Sequence, residues 1–191
     1  DRSGSMLEIK DSAIDGFNTF IEKQKELPED GSRLTLAIFD DEYEVIYDRE
    51  VLRDVSRLTN STYIPRNTTA LLDALGNTIA RIEAKNTSGK VIMAVITDGK
   101  ENASVEFTRD QIFKRISDKK KKGWEFIFLA ANQDAIEAGS LMGFDRQRIS
   151  NFGYNRKGVI GASSVMNVAT MCYRSGNLIG PLPEQADEEC N

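Results

Sequence analysis

Three short stretches of the chain gather small oxygen-bearing side chains: "DRSGS" at its start, "NTTAL" near its middle and "ITDGKEN" further on. They contribute Asp1, Ser3 and Ser5, then Thr68 and Thr69, then Asp98. Singly, Ser3, Ser5 and Thr69 suit helix N-caps, and Asp98-Gly99 suits a turn. Brought to one place, hydroxyl and carboxylate oxygens are what a hard cation selects. Much other chemistry is closed, because the 191 residues include no histidine. That removes Ser-His-Asp and Cys-His catalysis and histidine-ligated zinc.

Secondary structure has to deliver these residues. Met6, Ile9, Ala13, Phe17, Phe20 and Ile21 recur at helical spacing up to "LPEDG", whose Pro28 and Gly31 stop the pattern. "RLTLAIFD" and "YEVIYD" predict a hairpin, and its turn accounts for the acidic run Asp40-Asp41-Glu42. "VLRDVSRL" suits a short helix, and a loop containing Pro65 then runs into a helix carrying Leu71, Leu72, Leu75, Ile79 and Ile82. "KVIMAVITDG" is an apolar run of the kind expected for a strand buried on both faces. Thr108 is a candidate N-cap for "TRDQIFKRISDKKKKG", whose Lys119–Lys122 fit a solvated helix end complementing the dipole. "WEFIFLAA" predicts a second buried strand, with Trp124 as packing. A helix in "QDAIEAGSLMGF", a short strand in "RISNFGY" and a closing helix in "GVIGASSVMNVATMCYRSG" follow.

This alternation predicts an α/β fold: a Rossmann-like, doubly wound, mostly parallel central sheet with one antiparallel edge strand and helices on both faces. In such sheets ligands bind beyond the carboxyl ends of the strands, where Asp98 falls.

Composition bounds the rest. With 40% apolar and 29% charged residues the chain is expected to form one globular domain over residues 1–183, followed by a flexible acidic tail at 184–191. A net charge of -5 argues against a nucleic-acid partner. No apolar run approaches the roughly 20 residues that cross a membrane. Cys172 and Cys190 make no disulfide framework, which suits a reducing cytoplasm.

Taken together in this order, "DRSGS", "TTALLDAL" and "ITDG" resemble the von Willebrand factor A domain family, whose metal-ion-dependent adhesion site uses Asp-x-Ser-x-Ser, a distant Thr and a distant Asp. "LAANQDAIEAGSLMGF" is similar to the matching stretch of bacterial and bacteriophage members. The resemblance implies Mg²⁺, with Mn²⁺ or Ca²⁺ as substitutes, held by Asp1, Ser3, Ser5, Thr69 and Asp98. With two formal negative charges in that set, the ion stays electrophilic enough to accept a Glu or Asp carboxylate from a protein partner. Asn132 and Gln133 are candidates for the rim of that surface. The family further suggests an intracellular complex, with an AAA+ chaperone-like ATPase among possible partners, and a domain that is a monomer on its own and not an enzyme. An Mg²⁺-dependent phosphate-ester hydrolase or phosphate-binding enzyme, and a scaffold with a vestigial site, stay open as alternatives.

Asn67-Thr68 stand where the family usually has glycines, a departure that bears on the loop's backbone. In the family an apolar central strand leads into the first motif, so one is expected ahead of Asp1. A free α-amino charge at Asp1 would sit beside the ion.

Overall fold

The computed structural model describes residues 1–28, 31–85, 89–131 and 134–186. Asn132, Gln133 and Cys190 lie outside them.

The elements follow the expected order, with a few differences. Gly4–Ile9 is a 3-10 turn that leads into helix α1, Lys10–Lys25. Strands β1 (Arg33–Phe39) and β2 (Tyr43–Val51) form the antiparallel hairpin. "VLRDVSRL" reduces to the single 3-10 turn Leu52–Asp54. Then come α2 (Leu71–Ala84), β3 (Ile92–Thr97), α3 (Arg109–Lys120), β4 (Glu125–Ala130), α4 (Ala135–Leu141), β5 (Ile149–Asn151) and α5 (Arg156–Arg174). Thr108 caps α3 in a reciprocal pair with Gln111, closing two of the free N–H groups at that helix end.

Strand β4 shows why the helices lie where they do. Its side chains alternate, so Ile127 and Leu129 join α1 and α5 in one apolar core. Phe126 and Phe128 join α2 and α3 in the other. Ile127 and Leu129 are fully buried, and each such side chain contributes about 1.5–3 kcal/mol.

Among the described residues the expected sheet is in two parts. β3, β4 and β5 form a parallel three-stranded sheet, while β1 and β2 form a separate two-stranded one. A cavity of about 830 Å³ lies against β1 on one side and β3 on the other, lined also by Phe17, Phe20, Leu75 and Met166. β3 therefore departs from the expectation of burial on both faces: Ala94 is exposed, and Ile92, Met93 and Ile96 are only half-buried. At one end the gap is spanned by two consecutive residues. The Asp1 nitrogen donates to the Ile96 carbonyl at 3.0 Å, and the Arg2 N–H donates to the Phe39 carbonyl at 2.7 Å. Successive donors pointing to opposite sides are the hydrogen-bond pattern of a strand lying between two neighbours.

Two surface expectations also change. The tail does not start loose, because Asn151 and residues 184–186 bond as a short parallel extension: Asn151 N–H to Glu184 O at 2.9 Å and Ala186 N–H to Asn151 O at 2.7 Å. Lys119 is 6% exposed rather than solvated. Its ammonium pairs with Glu83 and lies 5.3 Å from the centre of the Trp124 ring.

Candidate metal centre

The first, second and third polar stretches come together at the carboxyl ends of β1 and β3. Asp1 is fixed from several sides: its Oδ1 accepts the Ser3 N–H at 2.6 Å, its Oδ2 accepts the Thr97 hydroxyl, and its carbonyl accepts the Tyr63 hydroxyl at 2.6 Å. The Ser3 and Ser5 hydroxyls are 3.1 Å apart, and Ser5 donates to Asp98 Oδ1 at 2.8 Å. Thr69 arrives from the loop before α2. Its N–H donates to the Asn102 side-chain oxygen at 2.9 Å, while the Asn102 N–H returns to the Thr69 carbonyl at 3.1 Å.

Gly99 reveals where these oxygens point. A methyl group built on its Cα would stand 2.6 Å from Thr69 Oγ1, 3.4 Å from Asp1 Oδ2 and 3.4 Å from Ser3 Oγ. Oxygens from the first and second stretches therefore converge on the backbone of the third at Gly99. Only a residue without Cβ lets Thr69 approach it this closely.

The helix-capping alternative does not describe these hydroxyls. Ser3 occupies the N-cap position of the 3-10 turn without a side-chain cap, and the N-cap position of α2 belongs to Ala70. Ser3 and Thr69 are instead 2% and 3% exposed and turned toward the cluster. Buried hydroxyls without cap duties favour a polar role among their neighbours. The departure at Asn67 is accommodated, since its φ of 57° is left-handed backbone that asparagine tolerates.

Burial acts on Asp98 and on the Asp1 nitrogen. Burial pushes the Asp98 carboxyl above the usual carboxylate range, with the Ser5 hydroxyl pulling the other way. Burial pushes an amine at Asp1 down to about 5 despite the attraction of Asp98, and the Asp1 nitrogen donates to the Ile96 carbonyl. Among the described residues no three His, Cys, Asp or Glu side chains gather into a metal-binding group. The donor set here is of another kind, two carboxylates and three hydroxyls, which is oxygen chemistry suited to a hard ion.

Several residues of this region carried no signal in the sequence that singled them out. Thr97 is fully buried and touches Asp1, and its one hint is that it is polar at the end of an apolar strand. Asn102, Tyr63 and Arg2 act through bonds to residues more than 30 positions away. Tyr154 reaches in from the β5–α5 loop, its hydroxyl donating to the Ser5 carbonyl. With Leu7 and Ala131 it walls a recess of about 500 Å³ over Ser5 and Asp98.

No family model matches the chain, and no curated protein matches it. Among solved structures it is similar to proximal thread matrix protein 1 from the mussel byssus, with a TM-score of 0.61 and 14% identity, covering 86% of this chain and 42% of that one. The chain thus spans less than half the length of that structure. At this identity the likeness concerns the mixed α/β fold alone. No helix among the described residues is long and apolar enough to cross a membrane.

Proposed function

We propose that this chain is a binding module of the von Willebrand factor A type, in which Asp1, Ser3, Ser5, Thr69 and Asp98 hold Mg²⁺ and a protein partner is engaged through a Glu or Asp carboxylate. The observation that carries the reading is the convergence beside Gly99 of oxygens from two separate loops, Asp1 and Ser3 from one and Thr69 from the other. The hydrogen-bonded run from Ser3 through Ser5 to Asp98 adds the other two residues. Together these residues would hold Mg²⁺, which when bound would supply a positive charge for the incoming carboxylate. The chain's own residues do the rest: Thr97 and Tyr63 orient Asp1, Asn102 orients Thr69, and the recess under Leu7 and Tyr154 admits the partner.

The gap between β1 and β3 supports the doubly wound part of this reading. Phe39 and Ile96, at the carboxyl ends of the two strands, both receive bonds from residues 1 and 2, so the strands end side by side. One strand in the gap would join the two sheets in the order β2-β1-strand-β3-β4-β5. The site would then lie beyond the carboxyl ends of the central strands, with β2 as the antiparallel edge. A cytoplasmic multiprotein complex, with an AAA+ ATPase among its subunits, is the setting this reading assigns.

Isothermal titration of the wild-type chain and Asp98→Ala with Mg²⁺ and Mn²⁺ tests the reading. Saturable binding by wild type and at least tenfold weaker binding by the variant are expected. Equal heats in the two proteins would overturn it. Mg²⁺-dependent turnover of p-nitrophenyl phosphate by the wild type, lost in Asp98→Ala, would favour the hydrolase alternative instead.

A further inference from the structure

We infer that Asp40, a residue outside the five-oxygen cluster, is the positioning residue that sets the two halves of that cluster against each other. The inference rests on the reading of the site just given. Asp40 follows β1 in the acidic hairpin turn, yet it is 0% exposed, and a carboxylate withdrawn from water needs charged or hydrogen-bonding partners. Three surround it. Its Oδ2 accepts Nε of Arg66 at 2.7 Å and lies 3.2 Å from Nε of Arg2, and its Oδ1 accepts the Glu42 N–H at 2.7 Å. Burial pushes its carboxyl up, but the Glu42 N–H and the two guanidinium groups outweigh this and hold it below the usual range.

What matters is where those partners stand in the chain. Arg2 lies between Asp1 and Ser3, and is itself only 5% exposed. Arg66 leads into the loop that ends at Thr69, and its N–H donates to the Arg2 carbonyl at 2.9 Å. The Asp40 carbonyl accepts the N–H of Ala70, the residue after Thr69, at 2.7 Å. A further bond, Gly4 N–H to Asn67 O at 3.0 Å, runs between the same two loops. One buried carboxylate with its own backbone therefore ties the loop of Asp1, Ser3 and Ser5 to the loop of Thr69. Without its charge, Arg2 and Arg66 lose the buried anchor they share and keep only the exposed carboxylates of Glu42 and Glu44, which hold the spacing of the loops less firmly.

Asp40→Asn keeps the size and the acceptor for Glu42 but removes the charge. In titration calorimetry it is expected to bind Mg²⁺ about 10- to 100-fold more weakly, the range seen when a group that orients ligands is lost. In EDTA the backbone amides of Gly4 and Ala70 should exchange faster with solvent, while those of Ile127 and Leu129 in β4 keep their protection. Arg66→Gln, which alters a half-exposed partner, serves where Asp40→Asn folds poorly and should weaken Mg²⁺ several-fold. Ile112→Ala, in the α3 core, is the control for general destabilisation and should leave the Mg²⁺ affinity of the folded chain unchanged. Wild-type affinity in both Asp40→Asn and Arg66→Gln, or an equal loss in Ile112→Ala, would overturn the assignment of Asp40 alone. Absence of Mg²⁺ binding by the wild type would overturn the reading of the site and this assignment with it.

Discussion

Gly99→Ala is the substitution that interrogates the cluster most directly. Gly99 is not among the glycines with positive φ, so alanine meets no backbone penalty there and the effect isolates crowding. The new methyl would stand 2.6 Å from Thr69 Oγ1 and 3.4 Å from both Asp1 Oδ2 and Ser3 Oγ. The first contact cannot persist, and Thr69, buried at 3% exposure, must turn off its rotamer or carry its loop away. An off-rotamer side chain costs about 0.5–1.5 kcal/mol and overpacking about 1–3 kcal/mol. The overpacking figure includes that strain, so a cost near 1–3 kcal/mol lowers the melting temperature by about 2–12 °C, since each kcal/mol is worth about 2–4 °C in a chain of this size.

The effect on the ion is larger, because Mg²⁺ takes its oxygens at about 2.0–2.1 Å and accepts little distortion. A methyl that overlaps Thr69 Oγ1 and touches Asp1 Oδ2 and Ser3 Oγ displaces at least the first of these oxygens. At least a 100-fold loss of Mg²⁺ affinity is expected, about 2.7 kcal/mol. Thermal melts read both effects at once. Wild type at 100 times its Kd gains about 2.7 kcal/mol from Mg²⁺, whereas Gly99→Ala should gain at most about 0.4 kcal/mol, a shift of under about 2 °C between Mg²⁺ and EDTA. A variant that Mg²⁺ stabilises as much as wild type would refute the claim that the oxygens converging beside Gly99 hold the ion.

Other outcomes follow from single contacts. Thr97→Val keeps the shape of a buried side chain but removes the hydroxyl that holds Asp1 Oδ2; Mg²⁺ affinity in calorimetry should fall about tenfold. Asp98→Asn should abolish Mg²⁺ binding and yet raise the melting temperature in EDTA, because burial disfavours the charged carboxylate. A carboxyl raised in the folded state contributes stability below its unfolded pKa and loses it as pH rises through the folded one. The advantage of Asp98→Asn should therefore be present at pH 8 and vanish toward pH 4. A six-residue Val/Ile-rich segment joined ahead of Asp1 should raise the melting temperature and slow amide exchange in both β1 and β3; protection gained in neither strand would argue against a strand position in the gap.

The sequence was most legible where one local pattern decides the structure. Phe126 to Leu129 alternate between two cores as an apolar strand must, Thr108 caps its helix with Gln111, and Asp98 falls at a strand end as the alternation of elements requires. It was least legible where a residue's role depends on a distant charge. Asp40 sits in an acidic triplet that reads as a solvated turn, and the arginine that changes its meaning is 26 positions away. Lys119 belongs to a run of four lysines, yet Glu83 and Trp124 draw that one out of water. β3 reads as a strand buried on both faces because its residues are apolar, but pairing partners rather than composition decide burial, and its Asp1-facing edge borders the cavity. Of the candidate site, the meeting of Asp1, Ser3, Ser5, Thr69 and Asp98 was readable from type and order. Thr97, Asn102 and Tyr63 were not, since one polar residue at a strand end or in a loop has many uses.

The gap between the two sheets gives the site a mechanical meaning. At the end where β1 and β3 both terminate, the backbone crossing from one sheet to the other is the pair of bonds from Asp1 and Arg2, and the oxygen cluster lies at that crossing. An ion held by Asp1 and Asp98 would act as a rivet across a joint, so that pulling a partner away from the site loads the seam between the β1–β2 hairpin and the three-stranded sheet. Occupancy should then govern how fast the hairpin swings open under force as well as how tightly a carboxylate is gripped.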